Sequence, residues 1–152
     1  MGFFKREKKF ICPMQGKIIS ITDVPDDVFR NRLLGDGFAI ELNGNEVVSP
    51  IDGEITTVFP TGHAFGIKAG DMELLIHIGL DTVKLEGKPF DIKVKDGQKV
   101  KAGDILTLVD TEYVKANNTS LVSPVIFTSG EKIEVKNLNS YVNVGDKNII
   151  KF

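Results

Sequence analysis

The sequence predicts an all-β fold, an antiparallel sandwich or barrel-like sheet with one or two short helical turns, and three features carry that reading. Seven runs rich in Ile, Val, Thr and Phe (KIISITDV, DGFAIEL, GEITTVF, HAFGIK, ELLIHIGL, DILTLVD and SLVSPVIF) are separated by Gly, Asp, Asn and Pro, the pattern of short strands and their turns. Pro followed by a turn and a strand recurs in CPMQGKIISI at 12–21, SPIDGEITTV at 49–58 and, more loosely, SPVIFTSG at 123–130. Gly-Asp leads into an apolar strand four times, in GDGFAI, GDMELLI, GDILTLV and GDKNII. This punctuation suits a closed or sandwiched sheet with tight corners rather than βαβ units.

Taken in order, the chain opens with MGFFKREKKF, in which Lys5, Arg6, Lys8 and Lys9 stand against the single acid Glu7. Residues 1–10 read as a basic tail, frayed at the terminus or, through Phe3, Phe4 and Phe10, in weak contact with an anionic membrane surface. The first strand run follows. PDDVFRNRLL at 25–34, with Asp early and Arg late, predicts a short helix. DTEYVKANN at 110–118 predicts another turn or two after Asp110. No linker or low-complexity stretch divides 11–152, which is one domain by length and pattern.

Composition excludes several classes. With 19 basic and 21 acidic residues the net charge is −2, which argues against a dedicated nucleic-acid binder. No apolar run approaches the length of a membrane span, and no hydrophobic core of a signal peptide is present. Cys12 is the only cysteine, so no intrachain disulfide can form; a reducing, cytoplasmic setting is expected, with Cys12 as a small buried hydrophobe.

The chemistry concentrates in TGHAFGIKAGDMELLIHIGLDT, residues 61–82, which holds both histidines of the chain, His63 and His77. A hairpin turning at Ala69-Gly70-Asp71 would pair Lys68 with Met72 and set His63 directly opposite His77. Opposed residues have β-carbons roughly 4.5–5.5 Å apart, so two rings would meet; a loop one residue shorter or longer would leave them diagonal. Alternation sends Leu74, Ile76, Ile78 and Leu80 to the core and His77 outward. Near neutral pH a free imidazole is a competent nucleophile, one ring can accept a phosphoryl group, and its neighbour can steady the charge. Thr61, two residues before His63, can hold the supporting ring. On pattern alone, two surface polar residues or half of a zinc site remain open beside this reading.

LLIHIGLDTV, with HAF before it, VPDDVF and GDGFAI upstream, and SPIDGEI, DGQKVKAGD, SPV and VGD elsewhere, closely resembles the glucose-type enzyme IIA domains of the bacterial sugar phosphotransferase system, from about Ile11 to the end of the chain. The resemblance implies a β-sandwich of the duplicated-hybrid-motif kind and a phosphoryl relay. In it the phosphohistidine of the small carrier HPr gives its group to His77, through Nε2, and a cysteine of the sugar-specific IIB domain takes it on. His63 matches the second active-site histidine and Thr61 the threonine that holds it. Asp26 and Asp81 match acidic residues that receive basic side chains of HPr. Phe29, Phe59 and Leu75 fall on an apolar ring around the histidines, where Leu75 departs from the usual aromatic. Gly62 is another departure, read as a loosening before His63. The resemblance requires no cofactor, allows an intermolecular zinc between His63, His77 and a partner carboxylate, and places sugar selectivity in the membrane and IIB partners. Regulated permeases or kinases are further expected partners of a chain expected to be monomeric.

A different reading starts from DGQKVKAGDIL, which is also similar to the turn-and-strand of biotinyl and lipoyl domains. Those carry a cofactor on a hairpin-tip lysine, a place that Lys68 approaches without the usual flanking methionines.

Overall fold

In the computed structural model, which describes residues 9–152, each of the seven apolar runs contains a strand. The strands are β1 (Gly16–Ser20), β2 (Asp36–Leu42), β3 (Glu46–Val48), β4 (Gly53–Val58), β5 (Ala64–Ala69), β6 (Met72–His77), β7 (Phe90–Ile92), β8 (Lys99–Val100), β9 (Ile105–Val109), β10 (Val122–Phe127), β11 (Glu134–Val135), β12 (Tyr141–Val142) and β13 (Ile150–Lys151). Among the described residues helix is confined to α1 (Asp27–Arg30), α2 (Thr111–Ala116) and two 3-10 turns, Ile21–Asp23 and Thr82–Leu85. The main sheet runs β12-β1-β2-β10-β6-β5-β4-β8, and β3-β9-β7 and β11-β13 form smaller sheets. Every pairing is antiparallel. The fold is the β-sandwich expected from sequence.

Strand alternation gives the main sheet two apolar faces. The inner face sends Phe38, Ile40, Phe65, Ile67, Leu74, Ile76, Val125 and Phe127 against Val47 of β3 and Leu106 and Val109 of β9. Each such side chain contributes about 1.5–3 kcal/mol on burial, so this layer is the main source of stability. The two Pro-turn repeats lie side by side beneath it, joined by Ile11 N–H to Pro50 O and Val48 N–H to Pro13 O, both at 2.8 Å. Cys12 is fully buried there, donates its thiol to Met14 O at 2.9 Å, and has its pKa pushed up to about 12 by burial.

The outer face carries Ile19, Ala39 and Ile126, which are covered by Ile21, Val24, Phe29 and Leu80. The strap that covers them, residues 20–35, is shaped by its caps. Ser20 accepts from Thr22 N–H to open the 3-10 turn, and Asp26 Oδ1 accepts from Val28 N–H at 2.9 Å and Phe29 N–H at 3.3 Å to open α1. The helix expected over 25–34 stops at Arg30, because Arg32 turns left-handed at φ 55° and ends the helical run. Arg32 then ties its Nε to Asp36 Oδ1 at 3.0 Å, while Asp36 Oδ2 accepts from Ile133 N–H at 2.8 Å, so the strap is fastened where it rejoins the sheet.

The tail expectation needs one correction. Phe10, placed there with the basic residues, is buried, with its ring 5.7 Å from Phe127, 6.1 Å from Phe38 and 6.2 Å from Phe152. Backbone bonds immediately after it, from Ile11 to Pro50 and from Cys12 N–H to Asp146 O, draw it into the core. The rest of the tail expectation falls on residues 1–8, outside the described residues. Among the described residues no helix is long and apolar enough to cross a membrane.

Candidate functional site

The β5–β6 hairpin carries the site, and its register differs by one residue from the sequence expectation. Ala69 pairs with Met72 across a two-residue Gly70-Asp71 loop, and Ala64, not His63, stands opposite His77. Gly70 takes φ 63°, which suits the leading position of a two-residue hairpin loop. The histidines are therefore diagonal, and strand alternation alone would send His63 inward beside Phe65.

A turn brings His63 back. Phe59 N–H donates to Ala64 O at 3.0 Å and Gly62 N–H to Phe59 O at 2.7 Å, with Gly62 at φ 71°. A Cβ on Gly62 would meet Ile92 Cδ1 at 2.8 Å, so this residue shapes a tight corner where the sequence suggested a loosened segment. From that corner the His63 ring reaches His77, centroid to centroid 5.0 Å, edge to face. Phe29 abuts the other side of His77 at 5.1 Å and Phe59 the other side of His63 at 5.4 Å, so four rings stand in a row.

Hydrogen bonds orient both imidazoles. Thr61 Oγ1 holds His63 Nδ1, the contact expected from sequence. His77 Nδ1 lies 2.7 Å from Gly79 O. A carbonyl only accepts, so Nδ1 carries the hydrogen and Nε2 keeps its lone pair. Gly79 was not singled out in the sequence; its signal is the glycine in IHIGLD, which permits φ 72°.

Burial pushes the His77 pKa down, and its bond to Gly79 O and the nearby carboxylates of Asp26 and Asp81 only partly oppose this, so the net shift is downward. His63 shifts down as well, first through burial and then through repulsion from His77. Both rings are thus neutral at neutral pH. The neutral rings favour the folded state; that contribution is present above the unfolded value of about 6.5 and is lost as pH falls through the lowered folded values. Thermal melts of the wild type should therefore decline below about pH 6.5, and a His63→Gln/His77→Gln double variant should decline less over the same window. Equal slopes would show that the rings do not titrate as described.

The remaining expected residues divide. Asp26 caps α1 and Asp81 sits left-handed at φ 61° before the 3-10 turn, and both act electrostatically on His77. Phe59 and Leu75 are half-buried beside the site. Phe29 lies on the expected apolar ring but is only 7% exposed, because it packs against His77 and helps the strap close over Ile126 on the outer face. Exposed apolar surface comes instead from its neighbour Val28 and from Val83, two residues after Asp81. Lys68 pairs with Glu73 inside the hairpin and not at its turn. No group of three or more His, Cys, Asp or Glu among the described residues is placed to hold a metal.

Comparison with known proteins shows the family. Residues 8–133 match the family described as phosphoenolpyruvate-dependent sugar phosphotransferase system, EIIA 1. The chain belongs to the EIIA family. The EIIA chain is 44% identical to a glucose-specific EIIA component of Mycoplasma capricolum over 149 residues, 96% of each protein. It is 46% identical over 127 residues to a glucose-specific EIIA component of Staphylococcus epidermidis, covering 83% of this chain and 76% of the relative. The solved glucose permease IIA from Mycoplasma capricolum superposes with a TM-score of 0.89 at 42% identity over 99% of both chains. A glucosamine-specific EIICBA component of Bacillus subtilis is 45% identical over 133 residues, and there the EIIA chain spans only 21% of the relative's length. The β-sandwich and the sugar phosphotransferase membership expected from the IHIGLDT and HAF motifs are thereby shown.

Proposed function

We propose that this EIIA domain relays phosphate by way of His77 Nε2, taking it from the phosphohistidine of HPr and giving it to a cysteine of a sugar-specific IIB domain. The observation that carries the proposal is the 2.7 Å contact of His77 Nδ1 with Gly79 O, which puts the hydrogen on Nδ1 and leaves Nε2 as the nucleophile. The Nε2 lone pair attacks phosphorus as the N–P bond on HPr breaks, and the electron pair of that bond returns to the HPr imidazole. In the second step a IIB thiolate attacks phosphorus and the pair of the P–Nε2 bond returns to His77. With Thr61 O–H donating to His63 Nδ1, the hydrogen of His63 sits on Nε2 and can donate to phosphoryl oxygens as charge shifts. Glucose is the favoured sugar class, since the two relatives matched over 96% and 76% of their own length are glucose-specific components.

Incubation with phosphoenolpyruvate, enzyme I and HPr should yield one acid-labile, base-stable phosphate, located on His77 by mass spectrometry. A phosphate stable in acid, or one on another residue, would overturn the proposal.

Asp26 and Asp81 serve HPr docking by long-range attraction. Asp26→Asn keeps an N-cap and Asp81→Asn keeps a residue that tolerates the left-handed region, so each removes charge with little other disturbance. Each should weaken HPr binding roughly two- to fivefold at low salt, the range of exposed ion pairs, and the difference should shrink as salt is added. Titration calorimetry at two ionic strengths measures this; unchanged affinity in both variants would remove the electrostatic part of the docking.

A zinc ion shared with a partner is a further proposal on the same geometry. Two imidazole nitrogens provide half of a tetrahedral set, and a partner carboxylate would add to it, as docking on a regulated permease or kinase would allow.

A further inference from the structure

Two buried hydroxyls lie behind His77, and neither is part of the relay just described. The ladder between β6 and β10 ends at the pair Ile76–Val125. The next pair in that register would be His77 with Pro124, and proline has no N–H to continue it. Beyond this point side chains take over. Gly79 N–H donates to Ser123 Oγ at 3.0 Å, and Ser123 Oγ donates in turn to Leu121 O at 2.9 Å. Thr82 Oγ1 donates to Ile78 O at 2.5 Å. Leu80 N–H donates to Ser120 O at 3.1 Å.

These bonds fix both peptide planes that flank Gly79. The Ile78–Gly79 plane is held at its carbonyl by Thr82 and at its N–H by Ser123. The Gly79–Leu80 plane is held at its N–H by Ser120 O, which aims its carbonyl at His77 Nδ1. Gly79 itself fits no other way: at φ 72° a Cβ would meet Ser120 O and Thr82 Cγ2, each at 2.5 Å. Ser123 and Thr82 are both 0% exposed. A buried hydroxyl that loses its partner is costly, which favours keeping this arrangement intact.

We infer that Ser123 and Thr82 are positioning residues of the phosphoryl relay, holding the Gly79 carbonyl where it keeps the His77 hydrogen on Nδ1 and the lone pair of Nε2 turned to the partner. The inference rests on the relay reading for its kinetic consequence, but the tautomer it describes exists in the unphosphorylated protein. A ring-orienting hydrogen bond of this kind commonly matters by one to two powers of ten where it has been removed.

The test is nitrogen-15 NMR of the full chain with labelled histidine, together with the rate of labelling by phospho-HPr, on the wild type, Ser123→Ala and Thr82→Val. Thr82→Val keeps the side-chain shape and removes only the hydroxyl. The wild type should show His77 in the single Nδ1–H form. Each folded variant should show a mixture of both neutral tautomers, with labelling roughly tenfold slower. Two results would overturn the inference: both tautomers already present in the wild type, or the wild-type tautomer retained in both variants, whatever their rates. Failure of phospho-HPr to label the wild type would count against the relay alone, since the tautomer populations are read without it.

Discussion

His77→Gln should reduce labelling by phospho-HPr to background while leaving the domain folded. The glutamine amide can still donate to Gly79 O, so the local backbone keeps a partner. Its nitrogen lone pair is delocalised into the carbonyl and does not attack phosphorus. The structural cost is small by comparison. The ring contacts with Phe29 and His63 at 5.1 and 5.0 Å are worth about 0.5–1.5 kcal/mol beyond simple burial, a modest drop in melting temperature for a domain of this size. Full labelling of a folded His77→Gln protein would remove His77 as the acceptor and the rest of the relay with it.

His63→Gln should separate arrival from departure of the phosphoryl group. Nε2 of His77 is untouched, so labelling should reach the wild-type end-point. Onward transfer to a IIB cysteine should slow on the order of 10²–10³-fold, the cost of deleting one well-placed donor to developing charge. The glutamine can keep a hydrogen bond to Thr61 but cannot reproduce the edge-to-face stack between Phe59 and His77. Single-turnover transfer from labelled protein to a IIB domain measures the effect. A wild-type rate would show that His63 is a neighbour without a part in transfer.

The strands were legible because their composition and turns agree, as in DGFAIEL, whose boundaries coincide with β2. Leu74, Ile76 and Ile78 of the expected aliphatic stripe are buried in the inner core, whereas Leu80, three residues past the end of β6, is buried on the outer face. The hairpin register was misjudged through one assumption, a three-residue loop. Gly-Asp is itself a two-residue hairpin signal, and weighing it more heavily would have given the observed pairing of Ala64 with His77. The meeting of the two rings survived that error because of Gly62, whose left-handed φ is a backbone property that alternation cannot express. Phe29 stands beside His77 as the resemblance implies, and it is buried, as its residue type alone would suggest. Where it is buried follows from the fold of the 20–35 strap over the outer face, and only tertiary structure sets that. Ser123 and Thr82 were invisible for the same reason: each looks like an ordinary strand or turn residue until Pro124 and Gly79 are seen side by side.

The corner at Phe59–Gly62 has a mechanical consequence. One imidazole rides on a strand laced to both neighbours, whereas the other is carried on a short bend outside the sheet. Changes confined to that bend would retune how readily cargo is handed off, with the dock that receives it left as it was. A relay built this way has a throttle and a landing pad on separate mounts.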